Sequence, residues 1–167
     1  LPAKEWAITG AGKGPSRFVR SLLLDVHVEE AHNWKLYRKY QRIERRETQS
    51  ESYATEDADM VVVAYGTAAR IAKGAVRRLR DKGMKVGLFR PITLWPFPSK
   101  ALARLAESVG KFLVFEMSMG QMVEDVKLAL NGKAEVDLYG RPGGVVVTPV
   151  ELSRILSRRY NAMRHEA

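Results

Sequence analysis

The sequence predicts an α/β fold: a mostly parallel sheet with helices on both faces, preceded by a connector helix. Three observations predict it. From Asp59 onward, strand-length apolar runs alternate four times with segments of helical periodicity, and parallel neighbours need such a crossover between them. Met60-Val61-Val62-Val63-Ala64-Tyr65 is apolar without interruption and largely β-branched, as in a strand covered on both faces. Residues 28–49, by contrast, carry only a narrow apolar stripe among arginines and lysines, the pattern of a helix lying on another surface.

In chain order, Glu5-Trp6-Ala7-Ile8-Thr9 is expected to form one short strand, and Gly10 to Ser16 a loop, because three glycines and a proline in so short a span deny regular structure. The connector helix runs from about Val28 to Gln49 on Leu36, Tyr37, Tyr40 and Ile43. The polar run Glu47 to Asp57 reads as a linker, dividing an extended lead-in and connector (1–57) from an α/β domain (58–167). After the strand at Met60, Gly66-Thr67 opens a helix with Ala68, Ile71, Ala72, Ala75, Val76 and Leu79 inward. Met84 to Phe89 is the next strand. Past the Pro-rich loop Pro91 to Pro98, a helix buries Leu102, Leu105, Ala106 and Val109 and stops at Gly110. Phe112 to Phe115 follows as a strand, then a Ser118-x-x-Gln121 capping box ahead of Met122, Val126, Ala129 and Leu130. The last unit is the strand Val136 to Tyr139 and a helix opened by Thr148-Pro149-Val150-Glu151, a second capping box with proline at the first helical position.

Composition narrows function. The chain has 167 residues, 46% hydrophobic, with no cysteine and three histidines. Disulfides, thiolate nucleophiles and cysteine-held metals are excluded, and a cytoplasmic setting is permitted. No apolar run approaches the ~20 residues of a membrane span, so no membrane partner is expected. The sequence opens Leu1-Pro2-Ala3-Lys4 without a basic-then-apolar leader, and it reads as a piece of a longer subunit. The net charge of +9 is uneven: residues 1–58 hold 10 basic and 9 acidic side chains, residues 59–167 hold 18 and 10. A basic surface favours acidic partners without choosing among nucleic acid, anionic cofactor and protein.

The parallel topology brings Gly66, Thr67, Arg90, Thr93, Trp95, Glu116, Ser118, Gln121 and Arg141 to the carboxyl edge of the sheet, where open α/β proteins place ligands and interfaces. Gly10 to Ser16 has neither the phosphate-loop nor the dinucleotide spacing, and Gly66 stands without further fingerprint glycines. His27 and His32 are five apart, the wrong spacing for shared helical ligation, and no serine has a histidine near it in the α/β units. No catalytic, cofactor-binding or metal-binding residue is assigned. Glu116 ends a buried strand ahead of a helix; a helix-start anion or interdomain ion pair outweighs general-base work as its role. Arg141, among glycines and a proline, fits a carboxylate or phosphate or a structural loop role equally. Thr67, Arg90, Glu116, Gln121 and Arg141 are therefore the candidate interface or anion-binding residues. The basic helix from Arg70 to Lys85 is the one hint of nucleic acid, but it lacks interleaved aromatics and any recognised motif, which argues for a solvated face. A stand-alone basic binding module for nucleic acid or an anionic ligand is the alternative to the reading that follows.

Four motifs in order carry a resemblance: Val63-Ala64-Tyr65-Gly66-Thr67-Ala68-Ala69-Arg70-Ile71-Ala72; Gly87-Leu88-Phe89-Arg90-Pro91-Ile92-Thr93-Leu94-Trp95-Pro96-Phe97-Pro98; Glu116-Met117-Ser118-Met119-Gly120-Gln121-Met122-Val123-Glu124-Asp125-Val126; and Tyr139-Gly140-Arg141-Pro142-Gly143-Gly144. Together they resemble the C-terminal region of the alpha-type subunit of 2-oxoacid:ferredoxin oxidoreductases, the 2-oxoisovalerate (branched-chain) branch first and the 2-oxoglutarate branch next. Trp6 to Gly10 and the Asn33 to Tyr53 helix are similar to the family's connector, so the resemblance covers about the whole chain. It implies a thiamine diphosphate enzyme that decarboxylates a 2-oxoacid, transfers the acyl group to coenzyme A and passes two electrons through iron–sulfur clusters to ferredoxin. It further implies a transketolase C-terminal-like domain that shapes subunit contacts in an oligomer and is inactive alone. The Gly-Asp-Gly and Asn pattern for the cofactor's diphosphate is missing, so thiamine diphosphate, Mg and 4Fe–4S clusters are expected on other domains and subunits. Arg70, Arg77 and Arg80 are candidates for guiding ferredoxin or coenzyme A.

Overall fold

A five-stranded sheet of order β1-β3-β2-β4-β5 organises the α/β part of the chain. The structure, a computed structural model, describes all residues except 1, 9, 11, 13, 15–21 and 167. The elements are α1 (Val26–Glu47), β1 (Ser50–Tyr53), β2 (Met60–Val63), α2 (Gly66–Arg80), β3 (Val86–Pro91), α3 (Ser99–Leu105), β4 (Lys111–Glu116), α4 (Met122–Leu130), β5 (Glu135–Gly140) and α5 (Pro149–Glu166). β2, β3, β4 and β5 run parallel, and β1 pairs antiparallel with β3 at the edge. The predicted class, a mostly parallel sheet with helices on both faces, is the observed one.

Strand alternation divides the core into two layers. Met60, Val62, Val86, Leu88, Leu113 and Phe115 point one way and are covered by α2 and α5 through residues such as Ala72, Val76, Leu152 and Leu156. Val61, Val63, Phe89, Phe112 and Val114 point the other way, under α3 and α4, where Leu102, Met122, Val126 and Leu130 meet them. Each fully buried Leu or Phe stabilises the fold by about 1.5–3 kcal/mol. A strand filled on both faces needs no polar alternation, which is why Met60–Val63 reads as one continuous apolar run.

Contact density divides the chain into residues 1–42 and 43–167. In the first unit, Glu5 and Trp6 lie in a turn rather than a strand, closed by the Ala7 N–H donating to the Lys4 carbonyl at 2.9 Å; Thr9 lies outside the described residues. So do Ala11, Lys13, Pro15 and Ser16 of the expected loop, while Gly10, Gly12 and Gly14 take positive φ. α1 starts two residues before the expected Val28, because the Asp25 carboxylate accepts the His27 and Val28 N–H groups at 2.9 and 3.0 Å and so caps the helix. None of its residues is buried.

Four further expectations are corrected. The polar run 47–57 contains β1, whose Ser50 to Tyr53 pair with Pro91 to Leu88. Polar residues suit an edge strand with one covered face, and the pattern was mistaken for linker. Gly87 permits the close packing there: a Cβ would stand 2.7 Å from the Ala54 carbonyl oxygen. Gly110 is not the stop of α3; the helix ends at Leu105 with Ala106 as its C-cap, and the Gly110 carbonyl accepts the Glu135 N–H at 2.9 Å. Neither Ser118 nor Gln121 caps α4 with its side chain onto the helix as a capping box requires; another residue does, as described below. Thr148 does cap α5, its Oγ1 accepting the Glu151 N–H at 3.1 Å, but the Glu151 side chain turns to Arg141 instead of back to the cap.

Candidate functional site

The carboxyl ends of the four parallel strands lead into the segments 64–65, 92–98, 117–121 and 141–148. Glu116, the last residue of β4, is fully buried. Its Oε2 accepts the backbone N–H groups of Gln121 and Met122, both at 3.0 Å, and its Oε1 accepts that of Val123 at 2.9 Å. The Ser118 hydroxyl donates to Oε2 at 2.9 Å. A helix N-terminus presents N–H groups with no intrahelical partner, and here one buried carboxyl group satisfies three of them across a turn. This is the helix-start role weighed for Glu116 in the sequence. With four donors on its two oxygens, Glu116 is consumed by the fold.

Arg141 is held in the same way. Its backbone N–H donates to the Glu116 carbonyl at 3.0 Å, and its guanidinium donates to the Tyr139 hydroxyl at 3.1 Å and Glu151 Oε1 at 2.8 Å. The Tyr139 hydroxyl first, and then the Glu151 carboxylate, hold the Arg141 guanidinium above its ordinary pKa. Gly140 lets this turn approach β4: a Cβ would lie 2.5 Å from the Ser118 carbonyl oxygen. The structure thus brings Glu116, Ser118, Gln121 and Arg141 together through backbone and cap bonds.

Arg90 and Thr67 stand apart from them. Arg90 lies on β3, separated from β4 by β2, which puts two strand spacings, about 10 Å, between the chains. It faces Glu51 of β1 in register and pairs with it at 3.2 Å, while Lys73 of α2 reaches the other Glu51 oxygen at 2.7 Å. The Lys73 bond, then Arg90, draws the Glu51 carboxyl below the usual glutamate value. Thr67 is exposed in the first turn of α2, whose N-terminus has no side-chain cap. Gln121 contributes its backbone N–H, and its side chain is exposed. Sequence reasoning missed Glu51, Tyr139 and Glu151; the Thr148-x-x-Glu151 spacing was a signal for the last, read as a local cap rather than a long-range partner.

Several large apolar side chains are also open at this edge. Ile92, Leu94 and Trp95 (58% exposed), Met119 (79%), and Val145 and Val146 (64%) project from the segments after β3, β4 and β5. The first of these segments is pinned: Thr93 Oγ1 accepts the Gln49 N–H at 3.0 Å and donates to the Pro96 carbonyl at 2.8 Å, and the Gln49 carbonyl accepts the Ile92 and Thr93 N–H groups. Among the described residues no group of three or more His, Cys, Asp or Glu side chains could hold a metal, and the chain has no cysteine for a cluster. Without a cysteine, the residues present do not fit an iron–sulfur cluster.

The family described as pyruvate:ferredoxin oxidoreductase core domain II matches residues 58–152. The chain belongs to this family. A ketoisovalerate oxidoreductase subunit VorB of Methanothermobacter marburgensis is 44% identical over 94% of the chain and 44% of its own length, so the chain spans less than half of the curated relative it matches. Among solved structures, a 2-oxoglutarate:ferredoxin oxidoreductase from Magnetococcus marinus superposes with TM-score 0.67 at 19% identity, covering 83% of this chain and 24% of that one. A split-gene transketolase gives 0.54 at 15% identity, covering 68% and 41%. The core domain II fold is thus of the transketolase-like kind that the four sequence motifs imply.

Proposed function

We propose that this core domain II serves assembly, largely without catalysis, within a thiamine diphosphate-dependent 2-oxoacid:ferredoxin oxidoreductase of the cytoplasm. The enzyme's reaction converts a branched-chain 2-oxoacid, coenzyme A and oxidised ferredoxin to acyl-CoA, carbon dioxide and reduced ferredoxin; the 44% likeness to a ketoisovalerate subunit supports that substrate class. Thiamine diphosphate, magnesium and iron–sulfur clusters belong to other domains and subunits. The observation that carries the assembly role is the carboxyl edge itself. Its buried acid and its arginines are spent on caps and internal ion pairs, while Trp95, Met119 and Val146 remain exposed above them. An edge whose buried acid is saturated and whose apolar side chains project suits packing against protein.

The test uses the full chain, alone and with the remaining subunits. Alone it gives no 2-oxoacid-dependent viologen reduction; mixed with its partners it enters a stable complex, and Trp95→Asp/Met119→Asp/Val146→Asp prevents that entry while the variant stays folded. Turnover by the isolated chain, or a complex indifferent to these substitutions, overturns the proposal.

A further inference from the structure

We propose that the outer faces of α2 and α5 form a docking surface for an acidic protein, recognised by arginine guanidinium groups. The inference is independent of the family reading, since it starts from how charge is divided across the sheet. α2 holds five basic and no acidic residues, and α5 holds four arginines and two glutamates, so this helix layer nets +7. The opposite layer holds two basic residues in α3, and one basic and two acidic in α4, for +1. Among the four helices that cover the sheet, the excess positive charge lies almost entirely on the α2–α5 side.

Part of that charge is structural. Arg80 donates to Asp57, to the Ala54 carbonyl and to the Val86 carbonyl, which removes it from the residues suggested for guiding a partner. Lys73 is held by Glu51 and Arg159 by Asp137. Arg70, Arg78, Arg154 and Arg158 are exposed and take part in no ion pair among the described residues. Arg154 and Arg158 are four apart, opposite the buried Leu152 and Leu156, and Arg78 stands on the neighbouring helix. α2 and α5 pack directly: a Cβ on Gly74 would lie 3.2 Å from that of Pro149. Like charges four apart on a helix are mutually destabilising, and neither Arg154 nor Arg158 has an ion-pair partner among the described residues. A partner carrying carboxylates would offset that repulsion.

The chemistry selects protein over nucleic acid. The unpaired cations are all arginine, which binds carboxylates bidentately and is enriched in protein interfaces where lysine is depleted. Base stacking needs exposed aromatics; α2 has none, and Tyr160 of α5 is buried.

Fluorescence anisotropy of the full chain with labelled poly-L-glutamate and with labelled duplex DNA tests this. Arg78→Glu/Arg154→Glu/Arg158→Glu weakens polyglutamate binding at least about tenfold, while Lys100→Glu/Arg104→Glu/Lys127→Glu on the opposite layer changes it by less than about twofold. The neutral set Arg78→Gln/Arg154→Gln/Arg158→Gln, which keeps side-chain bulk, weakens it by about threefold or more and stands in should the reversed variant fail to fold. Equal loss from the opposite-layer control overturns the proposal, because binding then follows net charge alone. Duplex DNA bound more tightly than polyglutamate and lost by the same variants overturns it as well, assigning the face to nucleic acid.

Discussion

Glu116→Gln removes one oxygen from a buried group that serves four donors. The amide places its remaining oxygen best at the Oε2 position, where Gln121 N–H, Met122 N–H and the Ser118 hydroxyl converge at 2.9–3.0 Å. Its NH2 then meets the Val123 N–H, donor against donor, at a site where the carboxyl oxygen had accepted at 2.9 Å. One buried N–H without an acceptor costs about 1–3 kcal/mol. Loss of the acid at a helix start costs about 0.3–2 kcal/mol more, so destabilisation of about 1–5 kcal/mol is expected in total. At about 2–4 °C per kcal/mol for chains of this size, the thermal midpoint falls by roughly 2–20 °C. Urea denaturation gives the free energy, and amide exchange at residues 121–123 should show protection lost there before elsewhere. Ser118→Ala removes one of the four donors and should cost less, about 0.5–1.5 kcal/mol. A Glu116→Gln variant within about 0.5 kcal/mol of wild type, with exchange at 121–123 unchanged, would refute the capping account. Lost turnover in the assembled enzyme with stability intact would point to the general-base role that the geometry disfavours.

Two further outcomes follow from the sheet edges. The folded-state pKa of Glu51 is lowered, so its contribution is present in full above the ordinary glutamate value near 4.5 and is lost as pH falls through the lower, folded value. Melts of wild type and Glu51→Gln should therefore differ at about pH 7 and converge as the pH falls through that lower, folded value; a gap that persists once the acid is protonated contradicts the pairing with Lys73 and Arg90. Gly140→Ala pushes a Cβ to 2.5 Å from the backbone oxygen of Ser118 and should cost about 1–3 kcal/mol by chemical denaturation. Gly110→Ala, with nothing within 4 Å of the new atom, should cost under about 0.5 kcal/mol.

How much of this was legible depends on the range of the interaction concerned. Met60 to Val63 and Phe112 to Phe115 announce themselves because burial on both faces leaves no alternative composition for them. The inward faces of α2 and α5 are legible from local periodicity. β1 is hidden because Ser50-Glu51-Ser52-Tyr53 becomes a strand only through β3 and through cations on β3 and α2 that grip Glu51. The cap of α4 is hidden for a related reason: Ser118 and Gln121 have the right types and spacing, but the nearer competitor for the same N–H groups is a carboxyl at the end of the preceding strand. Glu116, Ser118, Gln121 and Arg141 are joined by bonds local to β4 and β5, whereas the distance of Arg90 from them is set by strand order 3-2-4 and not by sequence.

The two proposed surfaces make different physical demands on what binds them, and this makes them separable. At the carboxyl edge, Thr93 and Gln49 bind the Ile92–Trp95 segment into place, and Glu116 fixes the turn before α4. Little conformational entropy is left to lose when these loops meet a partner, so apolar area buried there converts efficiently into lifetime. The α2–α5 face offers long, exposed arginines whose attraction is strongest before contact and which must be ordered on binding. Its contribution lies in the rate of encounter, and it falls as salt shortens the Debye length from about 30 Å at 0.01 M to about 8 Å at 0.15 M. A complex seated on the edge should accordingly survive salt that releases an acidic partner from the arginine face. If one salt concentration dissolved both together, the two surfaces would be serving a single interface that wraps the domain.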